Sequence, residues 1–143
     1  MSEDLGRLLD HAITGTGTVR VERQGATAEV EVVEADRLAV RILRVRVSGE
    51  STRGVRDTAA RLPDACRGLP ERIVPVEVAP ELGGAVLRSA PRDVVDREYF
   101  EVRTDGKTTD IERIHAAPGV ERHAVPFTLT REALARIVGK VAG

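Results

Sequence analysis

The sequence is poor in aromatic side chains, with two Phe, one Tyr and no Trp among its 143 residues, and it also contains no Asn. Sequence-tolerant binding of single-stranded nucleic acid needs stacking aromatics, and base readout relies heavily on amide side chains. These absences argue against nucleic acid as a partner. The one Cys can form neither an internal disulfide nor a zinc-binding pattern, so we predict no metal and no other cofactor.

Long apolar runs and an excess of one charge sign are missing as well. No stretch approaches the ~18 residues of a membrane span. The acidic residues 1–4 lack the basic and apolar regions of a signal peptide. The 22 basic and 23 acidic side chains leave a net charge of -1, which excludes an acidic tail and a polycationic chain. We therefore expect a cytoplasmic protein without a membrane segment.

The residues that are abundant favour a sheet-rich fold. Val (20) and Ala (17) dominate the hydrophobic side chains, and a core of small and β-branched residues is typical of sheets. The length predicts one globular α+β domain over residues 1–143. The scarcity of Asn, Gln, Met and Cys fits a heat-tolerant protein, and the 20 Arg against 2 Lys fit GC-rich coding equally well.

The first half of the chain shows a helix, three strands and a second helix. A stripe of leucines after Ser2 predicts a helix that ends by Gly15. Three alternating segments follow, and a slip of phase at Leu43 indicates a β-bulge or a strand covered on both faces. Ser51 is predicted to open the second helix. Pro75 should confine the next strand to an edge of the sheet or to a strand start.

The second half of the chain is predicted to form consecutive antiparallel strands followed by a helix. A hairpin turn is predicted at Asp105–Gly106, a strand from Val120 to about Phe127, and a last helix capped by Thr130. The order α-βββ-α-β(4–5)-α predicts an α+β fold, a largely antiparallel sheet covered by N-terminal, middle and C-terminal helices. This element order is similar to that of small secretion-chaperone domains, which are commonly dimeric, although no sequence motif accompanies the similarity.

The Asp105–Gly106 hairpin supplies the candidates for acid–base chemistry. With a two-residue turn there, Glu101 faces Asp110 and Tyr99 faces Glu112 on one side of the sheet. Opposed carboxylates can raise the pKa of one member and make it a general acid. The alternative is a solvated outer face neutralised by a nearby Arg. If the chain is an enzyme, we expect Glu101, Asp110, Glu112 and His115 to act.

His115 and His123, on either side of Pro118–Gly119, are a candidate pair of metal ligands. A two-residue turn at Pro118–Gly119 would place His115 and His123 on opposite sides of the sheet, which argues against a shared metal, whereas a three-residue loop would bring them to one side.

Ser51, Arg53 and Arg56 lie where a strand meets a helix, so they are candidates for anion binding at a helix N-terminus. The same stretch lacks the Gly-x-Ser-x-Gly spacing of a nucleophile elbow, and Ser51 is better explained as a helix cap. Cys66 falls on the apolar stripe of the second helix and is interpreted as a buried small hydrophobe.

Since no catalytic constellation is evident, we favour a non-enzymatic protein-interaction or chaperone/adaptor-like module. It would self-associate as a homodimer, through strand edges or sheet faces, and bind a protein partner. The alternative is a small-ligand-binding domain or a small enzyme that uses Glu101, Asp110, Glu112 and His115.

Overall fold

A computed structural model describes residues 2–49, 53–90 and 97–143, the side chains of residues 2–4 excepted. Within these ranges the chain forms three α-helices, nine strands and a 3-10 turn at Pro80–Leu82. The helices are α1 (Ser2–Ala12), α2 (Val55–Ala65) and α3 (Arg131–Ala142). The strands are β1 (Gly17–Arg23), β2 (Ala26–Ala35), β3 (Ala39–Ser48), β4 (Ile73–Ala79), β5 (Gly84–Ser89), β6 (Arg97–Thr104), β7 (Thr108–Ala117), β8 (Val120–Val125) and β9 (Phe127–Thr130).

The strands form one antiparallel sheet in the order β1-β2-β3-β7-β6-β5-β4, which confirms the α+β prediction. Two strands lie off this path, because β8 pairs with β7 and β9 pairs with β3. Six strands follow α2 in the described chain, not the predicted four to five. The predicted strand from Val120 to Phe127 is divided at Pro126, whose ring removes the amide hydrogen a continuing ladder would need.

All three helices pack on one face of the sheet. Their apolar stripes, which include Leu9 from α1, Leu62 from α2 and Leu134 from α3, join the inward-facing strand residues in one core. Phe100 and Phe127 meet edge to face at the centre, with 5.1 Å between ring centroids. We call the opposite face, which no described helix covers, the open face. None of the described helices is long and apolar enough to cross a membrane.

Several local predictions are confirmed. Leu43 is the extra residue of a β-bulge, since Glu31 lies opposite Arg44 while Val32 lies opposite Ile42. The Thr130 hydroxyl accepts a hydrogen bond from the amide of Ala133 at 3.0 Å and so caps α3.

The start of the second helix was predicted too early. The helix begins at Val55, and its N-cap is Gly54, which has no side chain to cap the helix. Ser51 itself lies outside the described residues.

Candidate functional site

The open face carries charges that alternate in sign from strand to strand. Glu29 and Glu31 on β2 lie opposite Arg46 and Arg44 on β3. The arginines in turn lie opposite two carboxylates of β7, those of Asp110 and Glu112. Two of these opposed pairs form ion pairs, Arg44 with Glu31 and Arg46 with Asp110, each at 2.6 Å, and such pairs stabilise the pairing of neighbouring strands.

Glu101 is the exception, because its side chain is only 3% exposed although it lies on the open face. Its carboxylate accepts hydrogen bonds from the guanidinium groups of Arg88 and Arg103, each at 2.9 Å, and of Arg122 at 2.8 Å. We call these four residues the Glu101 cluster. The cluster joins β5, β6 and β8, and these charge-assisted hydrogen bonds are among the stronger polar contacts a protein makes.

The cluster holds Glu101 in its charged form. Burial is the largest single influence and disfavours the carboxylate, but the hydrogen bonds from Arg103 and Arg88 and the charges of Arg103 and Arg122 together outweigh it, so the pKa of Glu101 lies below its ordinary value. Glu101 is therefore a poor proton donor near neutral pH. Asp110 also contacts an arginine, since Arg46 donates to its two oxygens at 2.6 and 3.0 Å.

Glu112 behaves in the opposite way. Its pKa is raised, first by burial and then by the charges of Asp110 and Glu101, and Arg44 only partly compensates. Glu112 lies directly opposite Glu101 on the neighbouring strand. Glu112 and Glu101, which face each other, therefore have pKa values shifted in opposite directions.

The register of the β6–β7 hairpin differs from the prediction by two residues. Glu101 faces Glu112 and Arg103 faces Asp110, so the predicted pairs Glu101–Asp110 and Tyr99–Glu112 are wrong. The turn is centred on Gly106–Lys107, because the amide of Asp105 donates to the carbonyl of Thr108 at 3.1 Å. The Asp105 carboxylate accepts from the amides of Lys107 and Thr108, which favours this turn over one centred on Asp105–Gly106.

The two histidines lie on the same side of the sheet, which overturns the prediction that they are separated. The turn itself is as predicted, with Ala117 opposite Val120, but β8 then holds one extra residue, so that His115 lies opposite His123. Their ring centroids are 5.4 Å apart. A bulge changes which face the following side chains point to, and the sequence contains no signal for it.

His115 does not join the carboxylates with which it was grouped. Side chains alternate along β7, whose pairing with β6 is unbroken, so His115 and Glu112 point to opposite faces. The Nδ1 atom of His115 lies 3.5 Å from Oε2 of Glu98. Across the three described ranges, no group of three or more His, Cys, Asp or Glu side chains is arranged to hold a metal ion.

In the predicted anion site at α2, the Arg53 side chain contacts other groups of the protein. Arg53 donates to the backbone oxygen of Gly143 at 2.8 Å and lies 3.4 Å from the carboxylate of Asp57. Arg56 is exposed on the first turn of the helix, while Ser51 falls outside the described residues. Because Ser51 is not described, the arrangement of the three residues is not tested, and anion binding there stays a prediction.

The outer edge of β4 exposes apolar side chains. Pro75 predicted an edge position, and β4 is the terminal strand of the sheet. Val74 and Val76 are 52% and 56% exposed, respectively. Together with Tyr99, Arg88 and Arg122 they line a cleft of about 450 Å³. The sequence predicted the edge strand but not this cleft, because the cleft joins residues from five strands.

A comparison of the chain with protein families, curated proteins and solved structures found no match. The case for a function therefore depends on the geometry of the chain itself.

Proposed function

We propose that this chain is a non-enzymatic protein-interaction module that forms a homodimer through the outer edge of β4. The observation that carries the proposal is the pair of exposed valines, Val74 and Val76, on the terminal strand of the sheet. A terminal strand exposes a row of backbone groups, and apolar side chains beside such an edge favour association with another chain.

The charges at the two ends of β4 support a second copy as the partner. Arg72, which is exposed, precedes the strand, whereas Glu77 and Glu81 are exposed at its far end. In a two-fold symmetric contact the same patch meets itself, so residue i contacts j and j contacts i. An antiparallel arrangement of two β4 edges brings Arg72 of each copy toward the glutamates of the other and the valines toward one another.

Pro75 determines how these edges meet. Proline cannot donate a ladder hydrogen bond, so a continuous sheet through both copies is disfavoured at this position. We therefore expect the copies to pack through the side chains of Val74 and Val76, which lie on either side of the proline.

The states of the acid–base candidates support a non-enzymatic role. Arginines hold Glu101 in its charged form, Arg46 binds the carboxylate of Asp110, and His115 lies on the other face of the sheet. Burial raises the pKa of Glu112, whose opposite neighbour Glu101 is bound by three arginines. A single carboxyl group with a raised pKa gives little support for acid–base catalysis.

The homodimer is tested by measuring the mass of Val76→Asp in solution. We expect this variant to be monomeric at concentrations where the wild type is dimeric. Val33→Asp is the matched control: Val33 is also an exposed valine, at 39%, but it lies on β2 near the other end of the sheet. If both variants remain dimeric, or if both become monomeric, the β4 edge is not the interface.

A charge exchange at the same edge tests the two-fold arrangement. Arg72→Glu and Glu77→Arg should each weaken the dimer, and the double variant should restore part of the loss, because the opposite charges face one another again. Additive losses in the double variant would contradict the antiparallel arrangement.

Ligand binding is the second candidate, and the cleft beside β4 favours it. The guanidinium carbons of Arg88 and Arg122 lie 5.7 and 5.8 Å from the centre of the Tyr99 ring, so two cations lie beside the aromatic ring. Such a cleft suits a small anion with an apolar body. Phenyl phosphate should then raise the melting temperature of the wild type more than inorganic phosphate does, and equal effects would remove this candidate.

A further inference from the structure

A wide groove of about 980 Å³ runs between α1, α3 and the turn that joins β2 to β3, away from the β4 edge. Its rim is rich in basic side chains, which are those of Arg7, Arg37, Arg131, Arg136 and Lys140. Two acidic side chains, Asp10 and Glu132, also line it. The groove thus carries a net charge of +3, from five cations and two anions, in a chain whose net charge is -1.

Both acidic side chains are already paired within the groove. Asp10 lies 3.1 Å from Arg131, and Glu132 lies 3.0 Å from Arg136 in the next turn of α3. Three cations of the groove, Arg7, Arg37 and Lys140, make no ion pair with another described residue. The unpaired charge therefore gives the groove a positive potential that attracts carboxylates.

The turn beside the groove presents Leu38, which is 72% exposed, on a rigid support. The Asp36 carboxylate accepts hydrogen bonds from the amides of Leu38 and Ala39, both at 2.8 Å. Arg131 donates through its amide to the carbonyl of Leu38 at 3.0 Å and through Nε to the carbonyl of Asp36 at 2.7 Å.

The same Arg131 fastens the turn to α1. Its guanidinium also donates to the carbonyls of Asp10 and Ile13, each at 3.0 Å. An apolar side chain held in place this way loses little conformational entropy when a partner covers it, which favours binding.

From this groove we infer that the module binds an acidic amphipathic helix of a partner protein. The carboxylates of that helix meet Arg7, Arg37 and Lys140, and its apolar side packs on Leu38. The inference rests on the partner-binding half of the proposed function and not on the homodimer.

The dimensions and the surrounding side chains favour this occupant. The groove follows α3, whose 12 residues span about 18 Å, enough for roughly three turns of a bound helix. The three aromatic residues of the chain, Tyr99, Phe100 and Phe127, are all buried and none lines the groove. Nucleic acid would therefore find cations there but no stacking platform.

The probe is a fluorescein-labelled amphipathic peptide of about 16 residues with Leu at helical spacing i, i+3, i+4 and i+7 and Glu on its flanks. We expect the peptide to bind the full chain, and we expect this binding to weaken as salt is added. The same peptide with Gln in place of Glu should bind much less tightly. Equal binding of the two peptides, or no binding of the acidic one, would overturn the inference.

Variants locate the binding to the groove. Arg37→Glu/Lys140→Glu should bind the acidic peptide about tenfold more weakly or worse. The matched control, Arg20→Glu/Lys107→Glu, changes the net charge by the same amount at exposed positions outside the groove and should bind within about twofold of the wild type. Equal losses in both variants would show that only overall charge matters and would overturn the inference.

Two further measurements complete the test. Leu38→Gln changes an exposed side chain, so it should weaken peptide binding without altering the unfolding midpoint of the protein. A 12-mer of single-stranded DNA, or vesicles containing phosphatidylserine, should bind less tightly than the acidic peptide, and tighter binding of either in the groove would contradict the assignment. Val76→Asp should bind the peptide as tightly as the wild type does. Failure of the homodimer proposal can therefore be distinguished from failure of the groove inference.

Discussion

Replacing Glu101 by Gln tests whether the buried carboxylate holds β5, β6 and β8 together. The substitution keeps the shape of the side chain but removes the charge that three guanidinium groups share. A hydrogen bond to a charged group contributes about 1.5–3 kcal/mol to stability. The three arginine side chains are 36%, 53% and 45% exposed, so water recovers part of each loss. We expect a total loss of about 2–3 kcal/mol, well below the sum of three bonds.

The assay is urea unfolding, which leaves ionic strength unchanged, with Glu98→Gln as the control. Glu98 lies on the same strand and pairs with Arg113 at 3.0 Å, but its side chain is 46% exposed. Its replacement should therefore cost less than about 1 kcal/mol. If the two variants lose the same stability, burial is not what makes the Glu101 cluster strong.

The pH dependence of the Glu101→Gln effect gives an independent check. The folded-state pKa of Glu101 is depressed, so its stabilisation is fully present above the unfolded value of 4.5 and is lost as the pH falls through the folded value. The stability difference between the wild type and Glu101→Gln should be full at pH 7 and shrink in acid below pH 4.5. A difference that stays constant down to acid unfolding would refute the reasoning.

Three more substitutions and modifications have definite expected outcomes. Gly6→Ala should destabilise the protein by about 1–3 kcal/mol in urea unfolding, because the added Cβ would overlap the backbone carbonyl of Ala135 on α3. This loss is expected despite the better helix propensity of Ala, and a stabilised variant would contradict the close packing of α1 on α3. Thr130→Ala should cost about 1 kcal/mol, since it removes the cap of α3, and Thr130→Ser should restore most of it. Burial raises the pKa of the Cys66 thiol to about 12, so the folded protein should react with a disulfide reagent at pH 8 no faster than it unfolds; rapid labelling of the native state would refute this assignment.

Local sequence patterns predicted the elements well because each depends on a few neighbouring residues. The bulge at Leu43 follows from a broken alternation, and the edge position of β4 follows from Pro75, which lacks an amide hydrogen. The cap at Thr130 likewise depends on residues within one turn of helix.

The candidate site was harder to predict because it depends on strand register and on long-range pairing. A shift of the turn from Asp105–Gly106 to Gly106–Lys107 was enough to move Glu101 from Asp110 to Glu112. One extra residue in β8 brought His123 next to His115. Of the arginines that complete the Glu101 cluster, Arg88 comes from β5, whose neighbours the sequence pattern does not specify. Arg122 comes from β8, whose predicted register is changed by the same extra residue.

The central claim, a homodimer through the edge of β4, is tested most directly by the mass of the wild type over a dilution series in sedimentation velocity. Two copies of the 15.5 kDa chain give about 31 kDa. We predict a species of this mass that dissociates on dilution, and that is lost in Val76→Asp but not in Val33→Asp. A wild type that stays at 15.5 kDa at the highest concentration reached would contradict the account.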